Sequence, residues 1–245
     1  MDCCDGSRRT VSANTHAFQR ESRVDRTAYA RILISKATSK GTGKKNGKIT
    51  EWLTRKYPAI VEEANAVGAE IYFEDESGIS MNVFTGKTWA PRGKTPTVYR
   101  SGQRTKRTMA SAISTEGRMY FRTLSGSMTG PRYRRFLKQL SRTRKQNPIF
   151  IIHDGLPAHR SKIVREYVES THGKIKTFQL PGYSPELNPT EIVWMNLKRE
   201  LSKRAHKNVE VMTTDAERVL RSMKRKPNII RQFITHVYGE IGKNV

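Results

Sequence analysis

The chain has 245 residues, 36% of them hydrophobic and 28% charged, enough for one sizeable core with an appendage. Its formal net charge of +24 selects a polyanionic partner, because Lys and Arg that neutralise phosphates release condensed counterions. Nothing approaches the roughly 18 consecutive apolar residues of a spanning helix, no apolar core of a signal peptide opens the chain, and the only cysteines are the neighbours Cys3 and Cys4. A membrane protein, a secreted disulfide scaffold and a structural zinc module are thereby disfavoured, and a reducing, intracellular setting is expected.

Residues 1–48 are polar and basic without a sustained period, ending in the Gly/Ser/Lys stretch "SKATSKGTGKKNGK", and read as a disordered arm and linker. From residue 49 to 245 the pattern is that of a folded domain. "ITEWLTRKYPAIVEEANAVGA" carries Trp52, Leu53, Ile60, Ala64 and Val67 in a helical stripe broken at Pro58. "EIYFEDESG" is a strand expected to stop at Gly78, with Ile71, Phe73 and Asp75 on one face and Tyr72, Glu74 and Glu76 on the other. "ISMNVF" reads as a second strand after a tight turn, and the Gly-, Pro- and cation-rich stretch that follows as a long loop. "TMASAIS" and "RMYFRTL" flank "TEG" as a hairpin.

Tyr133, Phe136, Leu137 and Leu140 then recur at helical spacing beneath a cationic outer face. "PIFIIHDG" is an apolar run suited to a strand buried on both faces, "RSKIVREYVESTHG" an amphipathic helix ended by Gly173, and "IKTFQLPG" another strand. A helix begins near Glu191, and the tail from about Thr213 to Tyr238 supplies one or two more helices split at Pro227. The order predicts an α/β fold: a mixed sheet with helices packed on its faces.

Three carboxylates occupy suggestive places. Asp75 ends the first strand, Asp154 follows "IFIIH", and Glu191 lies in the first turn of a later helix. Strand ends and nearby helix starts are where sites form in such sheets, and a charge placed there is costly unless it is paired or metal-bound. A hard divalent cation would offset that cost, and two such ions bind both oxygens of an in-line phosphoryl displacement. Each acid has a plainer role: Asp75 and Asp154 as turn residues, and Glu191 as the third member of a capping box with Asn188 and Pro189. From the residues alone both readings stand.

"IYFEDESGIS", "TWAPRGKTP", "FIIHDGLPAHRS" and "LPGYSPELNPTEIVWMNLKREL" resemble, in order, the catalytic-domain motifs of DDE transposases, specifically the bacterial insertion-sequence branch of the Tc/mariner superfamily. The likeness runs from roughly Thr50 to Ala205. It implies an RNase H-like fold, a catalytic and metal-binding triad of Asp75, Asp154 and Glu191, and two Mg²⁺ (or Mn²⁺) ions serving DNA strand cleavage and strand transfer. Gly155 stands where the family commonly carries Asn. The implied partners are double-stranded DNA (terminal inverted repeats and target) and a second copy of the chain; the implied setting is the cytoplasm of a bacterium, at the nucleoid. Nothing in residues 1–48 reads as the family's helix-turn-helix domains, so a truncated remnant that only binds DNA or a full-length transposase is the competing expectation.

Expected DNA contacts are His159, Arg160, Arg104, Lys106, Arg107, Arg134 and Arg135, acting on the backbone without sequence specificity. His159 has an alternative role in holding the Asp154 loop. His153 is expected to be structural and to point away from Asp154, Trp89 to pack within its loop, and Trp194 to bury its ring behind the Glu191 helix.

Overall fold

The alternation of "EIYFEDES" is realised as the central strand of a five-stranded sheet. The computed structural model describes residues 43–81, 91, 94, 106–144, 147–204 and 206–239. Strands β1 (Glu70–Ser80), β2 (Lys106–Ser114) and β3 (Met119–Leu124) form an antiparallel meander, and β4 (Ile149–His153) and β5 (Ile175–Gln179) extend it in parallel. The sheet order is β3-β2-β1-β4-β5, so β1 has an antiparallel neighbour on one edge and a parallel one on the other.

Gly78 does not end β1. The strand runs on to Ser80, with Gly78 opposite Thr108, and Ile79 and Ser80 continue it rather than opening a second strand. A glycine still offers the N–H and C=O that a ladder needs, and this one sits in an otherwise complete antiparallel pairing. The rest of the expected second strand from residue 82 onward, Arg104 and Trp89 lie outside the described residues, as does most of the expected arm.

Helices cover both faces. On one, Ile71, Phe73 and Ile79 of β1 join Met109, Ile113, Phe150 and Ile152 beneath helices contributed by both ends of the domain. The early pieces are α1 (Gly43–Glu51), a π-helical turn (Trp52–Lys56) and α2 (Tyr57–Val67), so helix already begins within the stretch read as linker. Pro58 falls in the first turn of α2, directly after the π-helical turn, and the helical path continues past it. The late pieces are α5 (Thr190–Leu201), α6 (Val209–Lys224) and α7 (Pro227–Tyr238), with the division at Pro227 as expected. On the other face, α3 (Gly130–Arg142) lays Tyr133, Phe136, Leu137 and Leu140 over Tyr72, Ala110, Ile149 and Ile151, with Val164 of α4 (Lys162–Glu169) beside them. Helix α4 stops at Ser170, ahead of Gly173, which adopts φ 85° in the following turn. Each fully buried aliphatic or Phe side chain of these layers contributes about 1.5–3 kcal/mol relative to exposure.

Aromatic packing joins the early helices to the last. Tyr57 and Tyr238 have ring centroids 4.2 Å apart, and Trp52 Nε1–H donates to the Tyr238 hydroxyl at 3.2 Å. That hydroxyl donates in turn to the Leu187 carbonyl at 2.7 Å, anchoring the turn that feeds α5. Among the described residues no helix is long and apolar enough to cross a membrane.

Candidate active site

The register of the parallel pair sets up the site. β1 and β4 run together from Glu70 opposite Ile149 to Phe73 opposite Ile152. Asp75 and Asp154 lie equally far beyond that last pair, so the same register would set one carboxylate across from the other. Like charges directly opposed on neighbouring strands repel. Asp75 shares the face of Ile71 and Phe73, toward α5, where Trp194 Nε1–H donates to its Oδ2 at 3.0 Å. The Trp194 ring is buried behind that helix as expected, but its N–H has a partner that periodicity did not show.

The third acid arrives by side-chain hydrogen bonds to the strand's backbone. Asn188 donates through Nδ2 to the Glu74 carbonyl at 3.2 Å, and Thr190 through Oγ1 to the Phe73 carbonyl at 3.0 Å, plugging the start of α5 into the fork between β1 and β4. Asn188 Oδ1 also accepts from the Thr190 N–H at 3.2 Å, acting as a cap just ahead of the helix. The reciprocal half of a capping box is missing: the Asn188 N–H donates to the Pro185 carbonyl at 3.0 Å, not to Glu191. Glu191 is thus relieved of capping. Its carboxylate lines a cleft of about 410 Å³ together with Asp75, Asp154, Arg160, Tyr183 and Asn188.

The cleft is electrostatically unbalanced. Burial first, then the Glu191 and Glu76 carboxylates, push Asp75 up to about 8. Among the described residues neither Asp75 nor Glu191 has a Lys or Arg within ion-pair reach. Repelling carboxylates with no chain cation between them are the donor set of a hard divalent ion, and their chemistry fits one. The ligand atoms of Asp75, Asp154 and Glu191 do not all converge on one point at mutual separations below 4.8 Å. Tight sharing of a single ion by all three is therefore not the arrangement present.

Asp154 differs from its partners. Its Oδ1 accepts from the Leu156 N–H at 3.0 Å and lies 3.2 Å from His159 Nδ1, an ion-pair distance without the alignment of a hydrogen bond. Burial pushes Asp154 up, but His159 and the Leu156 N–H together hold it below the usual carboxylate range. His159 is 3% exposed and has Glu76 Oε1 2.9 Å from Nε2. Burial opposes its charge, yet Asp154, Glu74 and Glu76 outweigh that and raise it to about 10. His159 is too enclosed to touch a DNA phosphate, and the alternative role of holding the Asp154 loop is the one the geometry favours. His153 accepts from the Gly155 N–H through Nδ1 at 3.0 Å and stays neutral, burial and His159 lowering it to about 3. Gly155 adopts φ 80°, and a Cβ there would fall 2.2 Å from Gln179 Cδ, which explains a glycine at this turn.

The expected DNA contacts are scattered. Among the described residues, Arg160 alone of them lines the cleft. Lys106 and Arg107 open β2, and Arg107 is ion-paired to Glu210 at 3.3 Å. Arg134 and Arg135 stand on the exposed face of α3. Sequence reading missed the buried cluster of Glu74, Glu76 and His159 on the opposite face of β1. The signal was present: alternation puts Glu74 and Glu76 on the face away from Asp75, and buried acids require a partner.

A family model for DDE superfamily endonucleases matches residues 70–213. The chain belongs to that family. Its match runs from the first residue of β1 into α6 and contains all three cleft carboxylates. Among relatives of this DDE endonuclease chain, the insertion element IS630 uncharacterized 39 kDa protein of Shigella sonnei is 26% identical over 151 residues. That stretch is 60% of this chain and 44% of the relative, so the chain spans under half of it. Among solved structures, the Mos1 transposase paired-end complex with left transposon end superposes at a TM-score of 0.58 and 15% identity, over 89% of this chain and 70% of that one. The catalytic domain of Mos1 mariner transposase gives 0.51 at 15% identity, over 79% of this chain and 95% of that one. The mixed sheet flanked by helices is the RNase H-like fold.

Proposed function

We propose that this chain is the catalytic part of a DNA transposase that cleaves DNA strands at the ends of an insertion element and joins them to a target, using divalent metal. The observation that carries the reading is the convergence of Asp75, Asp154 and Glu191 on one cleft, with no cation of the described residues between Asp75 and Glu191. The ligands assigned are those three carboxylates, and two Mg²⁺ (or Mn²⁺) ions suit three acids that do not close on a single point. When bound, divalent ions would supply Lewis acidity toward phosphoryl oxygens and would neutralise the acids.

The chain's own residues do the positioning. Trp194 ties Oδ2 of Asp75, so the carboxylate is oriented toward α5. Asn188 and Thr190 fix where Glu191 enters the cleft. Arg160 at the cleft wall suits a backbone phosphate. No covalent protein–DNA intermediate is required, because orientation and charge stabilisation carry displacement at phosphorus. The assigned partners are double-stranded DNA, as terminal inverted repeats and target, and a second copy of the chain, by analogy with the paired-end complex. The assigned setting is the bacterial cytoplasm.

The test is nicking of supercoiled plasmid in Mg²⁺ by the wild type and by Asp75→Asn, Asp154→Asn and Glu191→Gln. Nicking is expected from the wild type alone; equal nicking by all four proteins refutes the assignment. DNA binding without nicking by the wild type would leave the remnant reading in its place. Joining is read separately, with a precut 3′-hydroxyl end and a target plasmid.

A further inference from the structure

The backbone ladder between β1 and β4 ends before it reaches the two aspartates. Phe73 and Ile152 are the last paired residues, and β4 itself ends at His153. Beyond that point the strand carrying Asp75 and the loop carrying Asp154 share no main-chain hydrogen bond that would fix their separation, while their charges push them apart. His159 stands where a tie is needed. Its Nε2 is 2.9 Å from Oε1 of Glu76, the residue that follows Asp75 in β1, and 3.7 Å from Oε2 of Glu74. Its Nδ1 is 3.2 Å from Oδ1 of Asp154. The ring is pinned from the side by Tyr133, with centroids 4.2 Å apart, and the side chain is fully enclosed.

The contacts on Asp154 are also asymmetric. His159 Nδ1 and the Leu156 N–H both approach Oδ1, and among the described residues no chain donor reaches Oδ2. Asp154 is thus tied down through one oxygen, and its other is left for a ligand. On the other strand Trp194 donates to Oδ2 of Asp75.

We propose that His159 is a positioning residue: an imidazole cross-brace that joins Asp154 to Glu76 and so sets the spacing and the orientation of the two aspartates as metal ligands. The proposal rests on the metal-dependent reading above and adds to it the chain's means of preorganising two ligands that their own charges drive apart. Glu76 is the anchor of the brace. It ligates nothing in the cleft, since its side chain lies on the opposite face of β1 from Asp75. Residues that orient metal ligands in this way typically alter affinity by about 10–100-fold when replaced.

The experiment measures Mn²⁺ binding to the full chain by calorimetry, and Mn²⁺-dependent plasmid nicking, for His159→Ala, His159→Asn, His159→Gln and Glu76→Gln, with Asp154→Asn as reference. The Asn amide reaches the position of Nδ1 and the Gln amide that of Nε2, so each keeps one end of the brace and loses the other. All four are expected to bind Mn²⁺ about 10–100-fold more weakly than the wild type. Nicking should recover substantially at saturating Mn²⁺, because the ligands themselves remain. Glu76→Ala added to His159→Ala should cost little more, since one tie cannot be cut twice.

Should His159→Ala fail to melt cooperatively, the near-isosteric Glu76→Gln decides on the same criterion. The brace is overturned if Glu76→Gln and His159→Asn bind Mn²⁺ within twofold of the wild type while Asp154→Asn loses it. If Asp154→Asn itself keeps wild-type Mn²⁺ affinity, the metal reading falls, and the brace with it.

Discussion

Replacing Asp75 by Asn should make the metal-free protein more stable while abolishing its chemistry. The carboxyl titrates near 8 in the fold against an ordinary 3.8, because burial and then Glu191 and Glu76 oppose its charge. In the unfolded chain it ionises freely. Proton linkage therefore costs the fold about 4 kcal/mol at pH 7, taking roughly 1.36 kcal/mol per tenfold in proton affinity. Asn has the same shape, carries no charge in either state, and can still accept the Trp194 N–H through its amide oxygen. The cost should thus be recovered as a melting temperature raised by about 8–16 °C, using roughly 2–4 °C per kcal/mol for a domain of this size.

The sign fixes the pH dependence. A raised carboxyl contributes stability that is complete below 3.8 and is lost as pH rises toward 8. The advantage of Asp75→Asn should then be about 0.5 kcal/mol at pH 4, grow steadily, and level off above pH 8. The assay is calorimetric or circular-dichroism melting in EDTA from pH 4 to 9, repeated with millimolar Mg²⁺. Mg²⁺ should stabilise the wild type, by about 2.7 kcal/mol at a hundredfold excess over Kd, and leave the variant unmoved. An advantage that is equal at pH 4 and pH 8, or absent at pH 7, refutes the account of the cleft as uncompensated charge.

Other consequences follow from the same geometry. Metal-free wild type should lose stability between pH 6.5 and 10 in urea titrations: the raised His159, near 10, gives up its contribution across that range, and Asp75 does so up to about 8. Below 6.5 the lowered His153, near 3, works the other way, because the unfolded chain takes up the proton first; a stability that climbs from pH 7.5 to 10 would contradict the His159 assignment. Trp194→Phe leaves Asp75 Oδ2 buried without a donor, which should cost about 1–3 kcal/mol in melts and raise the Mg²⁺ concentration needed for half-maximal nicking. Tyr238→Phe strands the Leu187 carbonyl and the Trp52 N–H together, with an expected loss of about 2–4 kcal/mol by urea denaturation. DNA affinity followed by fluorescence anisotropy should fall linearly with log salt, and Arg160→Ala should reduce that slope by about 1; an unchanged slope removes Arg160 from the phosphate track.

Much of the fold was legible because the periodic signals were local. The alternation of Tyr72, Phe73 and Glu74, the four-residue apolar run of β4 and the stripe on α3 each report burial within one element, and the order of elements then limits the topology. Gly78 misled because glycine punctuation is a statistical cue, whereas a strand paired in the middle of a sheet takes its hydrogen bonds from its neighbours. The triad's elements could be located one by one, and the motifs that the chain shares with DDE transposases joined them. The ties that orient the acids could not be read. Trp194 to Asp75, His159 to Glu76 and Tyr238 to Leu187 each span long stretches of chain, and only the folded sheet brings them into contact. His159 shows the limit most clearly, since one histidine near a basic arginine suggests a phosphate contact until its burial is known.

The start of α5 grips carbonyl groups of β1, not side chains, through Asn188 and Thr190. Glu191 is therefore indexed to the main chain of the neighbouring strand, so that swapping the side chains at 73 or 74 leaves its coordinates untouched as long as the strand keeps its path. A single atom exchanged in the peptide link, oxygen for nitrogen at position 74, would weaken the Phe73 carbonyl as an acceptor and let the third acid drift although every side chain stayed in place.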